Sequence, residues 1–379
     1  MSCVRQATRA DVPRILNRAT RSFRENRLTH PDFAAMFPDT IDDSEACARQ
    51  WWVATEQDGT IAAGLQIVPR NLVLDREIKL HAAGIANVFT HPGHRGRGHM
   101  TRLLRRAITV LNDDGAPLSL LCGDRLRYRR FGWEKAGTNR RLDLNISMYR
   151  YGGGDLRSCE IRSWDGSAND TSEMQRVYDD LLCRTERSEA EFPRVLSRPG
   201  QVIWMCRAET GFAYASVKDG MLAEYAGEKR AFAGLLRFLL ERAGSLSVDV
   251  PPGGSADPLT QVLLGASSGY AVQPVAMVRV HGLVHVLRSY LPHLEASLAD
   301  WSGTLTLETA ETGEKATVRA ERGKVAVTAQ DAPPDLTLEL PDMARLLFGP
   351  FAPDAATVSR PMLRLAFPLP LYWHALSRV

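Results

Sequence analysis

No apolar run in the 379 residues approaches the roughly 18 needed to cross a bilayer, so no membrane span is expected. The opening Met1-Ser2-Cys3-Val4-Arg5-Gln6 lacks the charged-then-apolar order of a secretory leader. Neither sign of charge dominates: 47 lysines and arginines face 44 acidic residues, for a net charge of +3. That balance excludes a general nucleic-acid binder, which carries a strong basic surplus. The six cysteines (Cys3, Cys47, Cys122, Cys159, Cys183, Cys206) never form a Cys-x-x-Cys pair. Scattered thiols of this kind suit a reduced, cytoplasmic protein in which cysteine fills core space. His91, His94 and His99 cluster, but no acidic or cysteine residue stands at ligand spacing, so no metal is expected. There is no Gly-x-Ser-x-Gly elbow and no cysteine–histidine pairing to suggest covalent catalysis.

What is present is the balance of a globular chain, 44% hydrophobic and 24% charged, with a length that implies two or three domains. Residues 1–150 read as alternating strands and helices. Thr8-x-x-Asp11 ahead of Pro13 is a helix start, and Ile15, Leu16, Ala19 and Phe23 recur at helical spacing. A further helix is expected over Ser44–Trp51. Strands over Trp52–Thr55 and Ile61–Val68 flank the Asp58-Gly59 turn. Leu80–Thr90 reads as an apolar strand, Arg97–Leu111 as a helix and Leu118–Cys122 as a buried strand. Gly152-Gly153-Gly154 marks a first boundary. Residues 151–284 weakly echo the first segment, with a helix expected near Glu173–Arg187, strands at Val202–Cys206 and Gly211–Val217, and a helix at Arg230–Arg242. From 285 to 379 short alternating strands separated by Gly turns predict an antiparallel sheet, then a helix near Pro341–Phe348 and a proline-broken tail.

The most informative stretch runs from Ala86 to Met100, where an apolar strand ends in Thr90-His91-Pro92-Gly93-His94-Arg95-Gly96-Arg97-Gly98 and a helix follows at once. Backbone N–H groups of such a loop converge on an anion, and the helix N-terminus adds partial positive charge. Arg95 and Arg97 can add charge-assisted bonds, so the ligand implied is a pyrophosphate. The spacing fits neither a P-loop nor a G-x-G-x-x-G dinucleotide loop. A second string, Tyr128-Arg129-Arg130-Phe131-Gly132-Trp133, follows the Leu118–Cys122 strand. A tyrosine there could deliver a proton as general acid; the alternative is a packed core residue.

The loop resembles the acetyl-CoA loop of GNAT acetyltransferases, [QR]-x-x-G-x-[GA], with Arg95 and Gly98 in the first two positions and Met100 where a small residue is usual. Together with the tyrosine string, it is similar to the acetyltransferases of the enhanced intracellular survival (Eis) type. That resemblance implies an α/β (α+β) chain of tandem GNAT folds with mixed central sheets. It implies a catalytic GNAT domain at 1–150, a degenerate one at 151–284 and a sterol-carrier-protein-like domain at 285–379. It implies acetyl-CoA as co-substrate, its pantetheine beside the main chain of Val88, Phe89 and Thr90. Arg95, Gly96, Arg97, Gly98, His99 and Met100 would hold the pyrophosphate. The resemblance makes Tyr128 the general acid and the carboxylate of the last residue, Val379, the general base. The acceptor implied is a primary amine, on an aminoglycoside or polyamine-like molecule or a lysine side chain. Glu25 lies where substrate-facing helices fall, and the assembly implied is a homo-oligomer, in the Eis type a hexamer. Two rivals stand beside this reading: a lipid-binding scaffold built on the last domain, and a transferase for a larger acyl-CoA.

Overall fold

The structure is a computed structural model that describes residues 3–24, 33–149, 159–209, 211–252, 257–353 and 361–378. Its strands are β1 (Cys3–Gln6), β2 (Trp51–Thr55), β3 (Ile61–Leu74), β4 (Ile78–Thr90), β5 (Leu118–Leu121), β6 (Glu134–Ala136) and β7 (Asn139–Asn145). Further along come β8 (Cys159–Ser163), β9 (Arg184–Thr185), β10 (Val202–Ala208), β11 (Gly211–Lys218), β12 (Met221–Gly227), β13 (Ser245–Val250), β14 (Ser267–Gln273) and β15 (Ala276–Val280). The last four are β16 (Gly303–Thr309), β17 (Lys315–Glu321), β18 (Lys324–Thr328) and β19 (Leu336–Leu338). Five helices of the first segment matter below: α1 (Val12–Arg24), α2 (Phe33–Met36), α3 (Glu45–Gln50), α4 (His99–Asp113) and α5 (Arg125–Arg129).

These strands form mixed sheets in a mixed α/β architecture. The first has the order β1-β2-β3-β4-β5-β15-β6, with β9 added beside β3. The second runs β14-β7-β13-β12-β11-β10-β8, and the third β18-β17-β16-β19. The first two exchange strands. β7 precedes residue 150 but pairs with β13 and β14, whereas β15 follows it and is inserted between β5 and β6. Neither sheet is therefore made from one of the segments 1–150 and 151–284 alone. Gly152, Gly153 and Gly154 lie outside the described residues. The third sheet departs from the antiparallel expectation at one edge, where β19 runs parallel to β16.

The local elements follow from local chemistry. α4 buries Leu103, Leu104, Ala107 and Leu111, one stripe of an amphipathic helix, against Ala54, Leu65, Ala83 and Ile85 of the first sheet. α1 places Ile15 and Ala19 on the other face, with Val53, Ile61 and Phe89. Alternation along β2 thus sends Val53 to one layer and Ala54 to the other. The β3–β4 hairpin runs further than alternation suggested, with Leu74 opposite Ile78. Its turn uses Asp75 and Arg76 at φ 50° and 62°, a left-handed conformation with no glycine to announce it. The helix expected near Glu173–Arg187 spans Ala168–Asp179 instead, because the Ser167 side chain caps it by accepting from the Asp170 N–H.

Among the last described residues, Trp373 packs in the core shared by the first and third sheets, and Leu376 docks against the second. Trp373, His374, Leu376 and Ser377 are all buried. The His374 Nε2–H donates to the Cys183 carbonyl oxygen at 3.1 Å. Burial, helped by the Arg187 charge and opposed by Glu224, pulls the His374 pKa down to about 4. In the unfolded chain the ring titrates near ~6.5. As pH falls the unfolded state takes up this proton first, so the stability present above about 6.5 is lost by about pH 4. The thermal midpoint is expected to drop across that window by the equivalent of about 3 kcal/mol. His374→Gln, which keeps a donor to Cys183, is expected to flatten the drop in a pH series of melting curves.

Candidate cofactor site

The site begins with a bulge. In the β3–β4 ladder Gly64 faces Phe89 and Gln66 faces Ala86, so Leu65 lies opposite two residues, Asn87 and Val88. A bulge leaves its extra residue outside the ladder and bends the strand. Asn87 makes it possible by taking φ 55°, a conformation Asn tolerates better than most residues. Its Nδ2–H donates at 2.8 Å to Gln66 Oε1, while Gln66 Nε2 donates to the Thr40 carbonyl oxygen at 2.7 Å. Gly64 is required by the ring of Phe89: an added Cβ would stand 2.7 Å from Cε1. Just before the bulge β4 loses its other neighbour. β5 pairs with it in parallel only at Ala82, Ala83 and Gly84, and among the described residues no strand continues that pairing to Thr90. The two strands splay, leaving one main-chain edge of β4 open from Ile85 onward.

Five of the residues singled out in the sequence, Val88, Phe89, Thr90, Arg95 and Met100, line one cavity of about 330 Å³ at this splay. Ser22 and Phe23 of α1 and Arg127 of α5 complete its walls. Beyond it the loop turns through a short helical segment at Pro92–His94 and two glycines, Gly96 at φ 78° and Gly98 at φ 74°. Gly98 is the N-cap of α4 and supplies no side-chain acceptor. The first amides of α4 have no intrahelical acceptor either, which is the arrangement that receives an anion. Arg95 and Arg97 are exposed beside it.

Sequence spacing missed the residue that organises this loop. Glu56, at the β2–β3 turn, brings Oε1 to 3.2 Å from His94 Nδ1, 3.3 Å from His99 Nε2 and 3.5 Å from Arg97 Nη1. The acidic partner that the histidines lack along the chain is thus supplied through space, and the three groups lie close enough to hold an ion. The protons argue for a different role. Arg102 Nη2 donates to His99 Nδ1 at 3.0 Å, which leaves the ring proton on Nε2, facing Glu56. In that tautomer the Nε2–H lies 3.3 Å from Glu56 Oε1 without making a hydrogen bond, and it offers a metal no lone pair. Burial, with Arg102 second, lowers the His99 pKa and keeps the ring neutral.

Tyr128 sits in α5, which Asp124 caps by accepting from the Leu126 and Arg127 N–H groups. The phenol is buried in the core of the first sheet with Leu121 and Trp133, next in sequence to Arg127 of the cavity wall. Its ring lies over Gly123, where an added Cβ would be 2.6 Å from Cε2. Burial raises its pKa, against the pull of Arg127, so it holds its proton at neutral pH. The arginines around it are mostly spent on ion pairs. Arg125 and Arg129 both donate to Glu134, and Arg141 donates to Asp249. Arg106, further along α4, stacks on Trp52 at 4.6 Å. Glu25 and Val379 lie outside the described residues.

The family model of the acetyltransferase (GNAT) domain matches residues 3–136. This stretch is a GNAT acetyltransferase domain. It makes the chain an acyl-transferring enzyme with acetyl-CoA as its co-substrate, and the bulge, loop and α4 all fall inside the matched residues. No curated protein matches the chain in sequence. Among solved structures, a GCN5-related N-acetyltransferase from Anabaena variabilis superposes with a TM-score of 0.64 at 16% identity, covering 92% of this chain and 90% of that one. Another from Kribbella flavida gives 0.62 at 18%, with the same coverage. Eis1 from Mycobacterium abscessus gives 0.64 at 15% identity over 98% of this chain and 99% of that one. At such identities the likeness is one of fold, and it extends well beyond the GNAT domain. Among the described residues no helix is long and apolar enough to cross a membrane.

Proposed function

We propose that the chain transfers the acetyl group of acetyl-CoA directly to a primary amine, on an aminoglycoside or polyamine-like small molecule or a lysine side chain. The observation that carries this reading is the convergence of Val88, Phe89, Thr90, Arg95 and Met100 on one cavity at the β4–β5 splay. The open edge of β4 suits pantetheine as an added strand, and the Val88 N–H suits the thioester carbonyl as an oxyanion donor. Arg95, Gly96, Arg97, Gly98, His99 and Met100 hold the pyrophosphate at the α4 N-terminus. Tyr128 protonates the departing thiolate, and the Val379 carboxylate takes a proton from the amine. Glu25 attracts the cationic acceptor. In the same reading 1–150 is the catalytic unit, 151–284 a degenerate copy and 285–379 a sterol-carrier-like unit. The protein works as a cytoplasmic homo-oligomer, a hexamer by the Eis-type pattern.

The position of the tail favours the role given to its end. Arg378 lies close enough to Cys122, at the end of β5, for its charge to pull down that thiol's pKa against the stronger effect of burial. The test is CoA-thiol release across a panel of aminoglycosides, polyamines and lysine peptides, with acetyl-CoA and longer acyl-CoAs, for the full chain and one lacking Val379. Amine-dependent release is expected with acetyl-CoA, and a large loss is expected without Val379. No release with any amine, together with lipid retained by residues 285–379, would favour the scaffold instead.

A further inference from the structure

One cation on the wall of the cofactor cavity is not committed to a carboxylate. Arg127, on α5, lines the cavity together with Val88, Phe89, Thr90 and Met100. Its helix neighbours Arg125 and Arg129 are both spent on Glu134, at 2.5 and 2.8 Å. Asp124, the nearest acid along the chain, uses its carboxylate to cap α5 through the Leu126 and Arg127 N–H groups. Among the described residues no carboxylate forms an ion pair with the Arg127 guanidinium. Arg127 is exposed, so its donors are available to a molecule in the cavity. The guanidinium also lies close enough to the Tyr128 phenol for its charge and hydrogen bonding to favour the phenolate, against the stronger effect of burial. The other cation on the walls is Arg95, and the described walls carry no acid.

Acetyl transfer creates negative charge in this cavity. The amine nitrogen attacks the thioester carbonyl carbon beside the Val88 N–H, and the C–S bond breaks with its electron pair passing to sulfur. The thiolate then takes the Tyr128 proton. The amine gives up one proton, to the base and then to solvent, from which the phenolate regains its own. Sulfur and phenol oxygen therefore carry the negative charge in turn, and Arg127 stands on the cavity wall and beside the phenol. An arginine stays positive throughout, because its pKa lies above ~12. We propose that Arg127 is a catalytic residue of this transfer, its guanidinium holding the charge of the departing thiolate. The proposal rests on the reading of the cavity as the acetyl-CoA site, and adds the group that stabilises the leaving atom. Tyr128 supplies the proton and Arg127 the charge, as a preorganised donor aimed where charge develops.

The experiment is a pH titration of the thiolate absorbance of CoA bound to the full chain, read as the difference from the complex with desulfo-CoA, which lacks the sulfur. Wild type is expected to ionise the bound thiol about one to three pH units lower than Arg127→Met does, the usual effect of one opposite charge at close range. Arg127→Lys, which keeps the charge, should retain most of that difference. In Arg127→Met, kcat for acetyl transfer should fall about 10²- to 10³-fold with KM for acetyl-CoA nearly unchanged, since the charge appears only as the bond breaks. The same thiol ionisation in wild type and Arg127→Met, with CoA bound to both, would overturn the proposal. Equal losses in Arg127→Lys and Arg127→Met would overturn it too, because shape and not charge would then be at work. No binding of CoA by wild type would sink the reading of the cavity itself, and the proposal with it. Full activity of Tyr128→Phe would remove the acid alone, leaving the thiol ionisation to decide on Arg127.

Discussion

Tyr128→Phe is expected to lower kcat for acetyl transfer by about 10²- to 10⁴-fold, the usual worth of a positioned general acid. Binding of acetyl-CoA should hold steady. The substitution removes one oxygen and keeps the ring that packs over Gly123 and into the core with Leu121 and Trp133. The remaining activity reports the acid step, because the fold has little reason to respond. Burial raises the phenol's pKa, so in wild type it holds its proton at neutral pH, available to the departing thiolate. The checks are kcat and KM for acetyl-CoA at saturating amine, with the melting temperature as control. A kcat within about twofold of wild type would make Tyr128 a packing residue and end its assignment as the acid.

The largest effect on stability is expected at Glu224→Leu. Glu224 is fully buried and accepts from both Nη atoms of Arg187, at 3.0 and 2.5 Å, and from the Tyr214 hydroxyl at 2.9 Å. Arg187 also donates at 2.7 Å to Ser377 Oγ in the docked tail and lies 4.4 Å over the ring of Tyr178. Desolvation is the largest influence on both charges, and their mutual attraction outweighs it, so both stay ionised. Removing one partner strands the other as an uncompensated charge, at a cost of about 3–5 kcal/mol. Replacing both, as Arg187→Met with Glu224→Leu, is expected to recover most of the loss, since apolar replacement of a whole buried pair is often neutral. Denaturant unfolding of the two single variants and the double variant measures the coupling directly. A double variant as unstable as the sum of the singles would show that the two groups act independently.

The features that the sequence made legible are those decided by near neighbours. The strand ending at Thr90, the glycines that open the loop and the amphipathic stripe of α4 can be read from residues within a turn or two of each other. The hidden features depend on partners far along the chain. Glu56 reaches His94 and His99 only because the β2–β3 turn stands over the loop. The exchange of β7 and β15 needs hydrogen bonds between strands more than a hundred residues apart, and no local pattern encodes the choice. Asn87 lies between, for its tolerance of positive φ is a local property that becomes a bulge only opposite Leu65. The same distinction holds at the chain end. The apolar run near Trp373 is a local pattern, but the charges of Asp39, Arg198 and Arg70 come together only in the folded chain.

Hydrogen exchange with and without acetyl-CoA tests the central claim most directly. If the bulge, glycine loop and α4 hold the cofactor, the amides of Val88–Thr90 and of the first turn of α4 should gain protection on binding. The corresponding strand and helix of the second sheet, β12 and Lys229–Ala243, should be unchanged. Protection confined to the second sheet, or no protection at Val88–Thr90 and His99–Arg102 at saturating acetyl-CoA, would contradict the account.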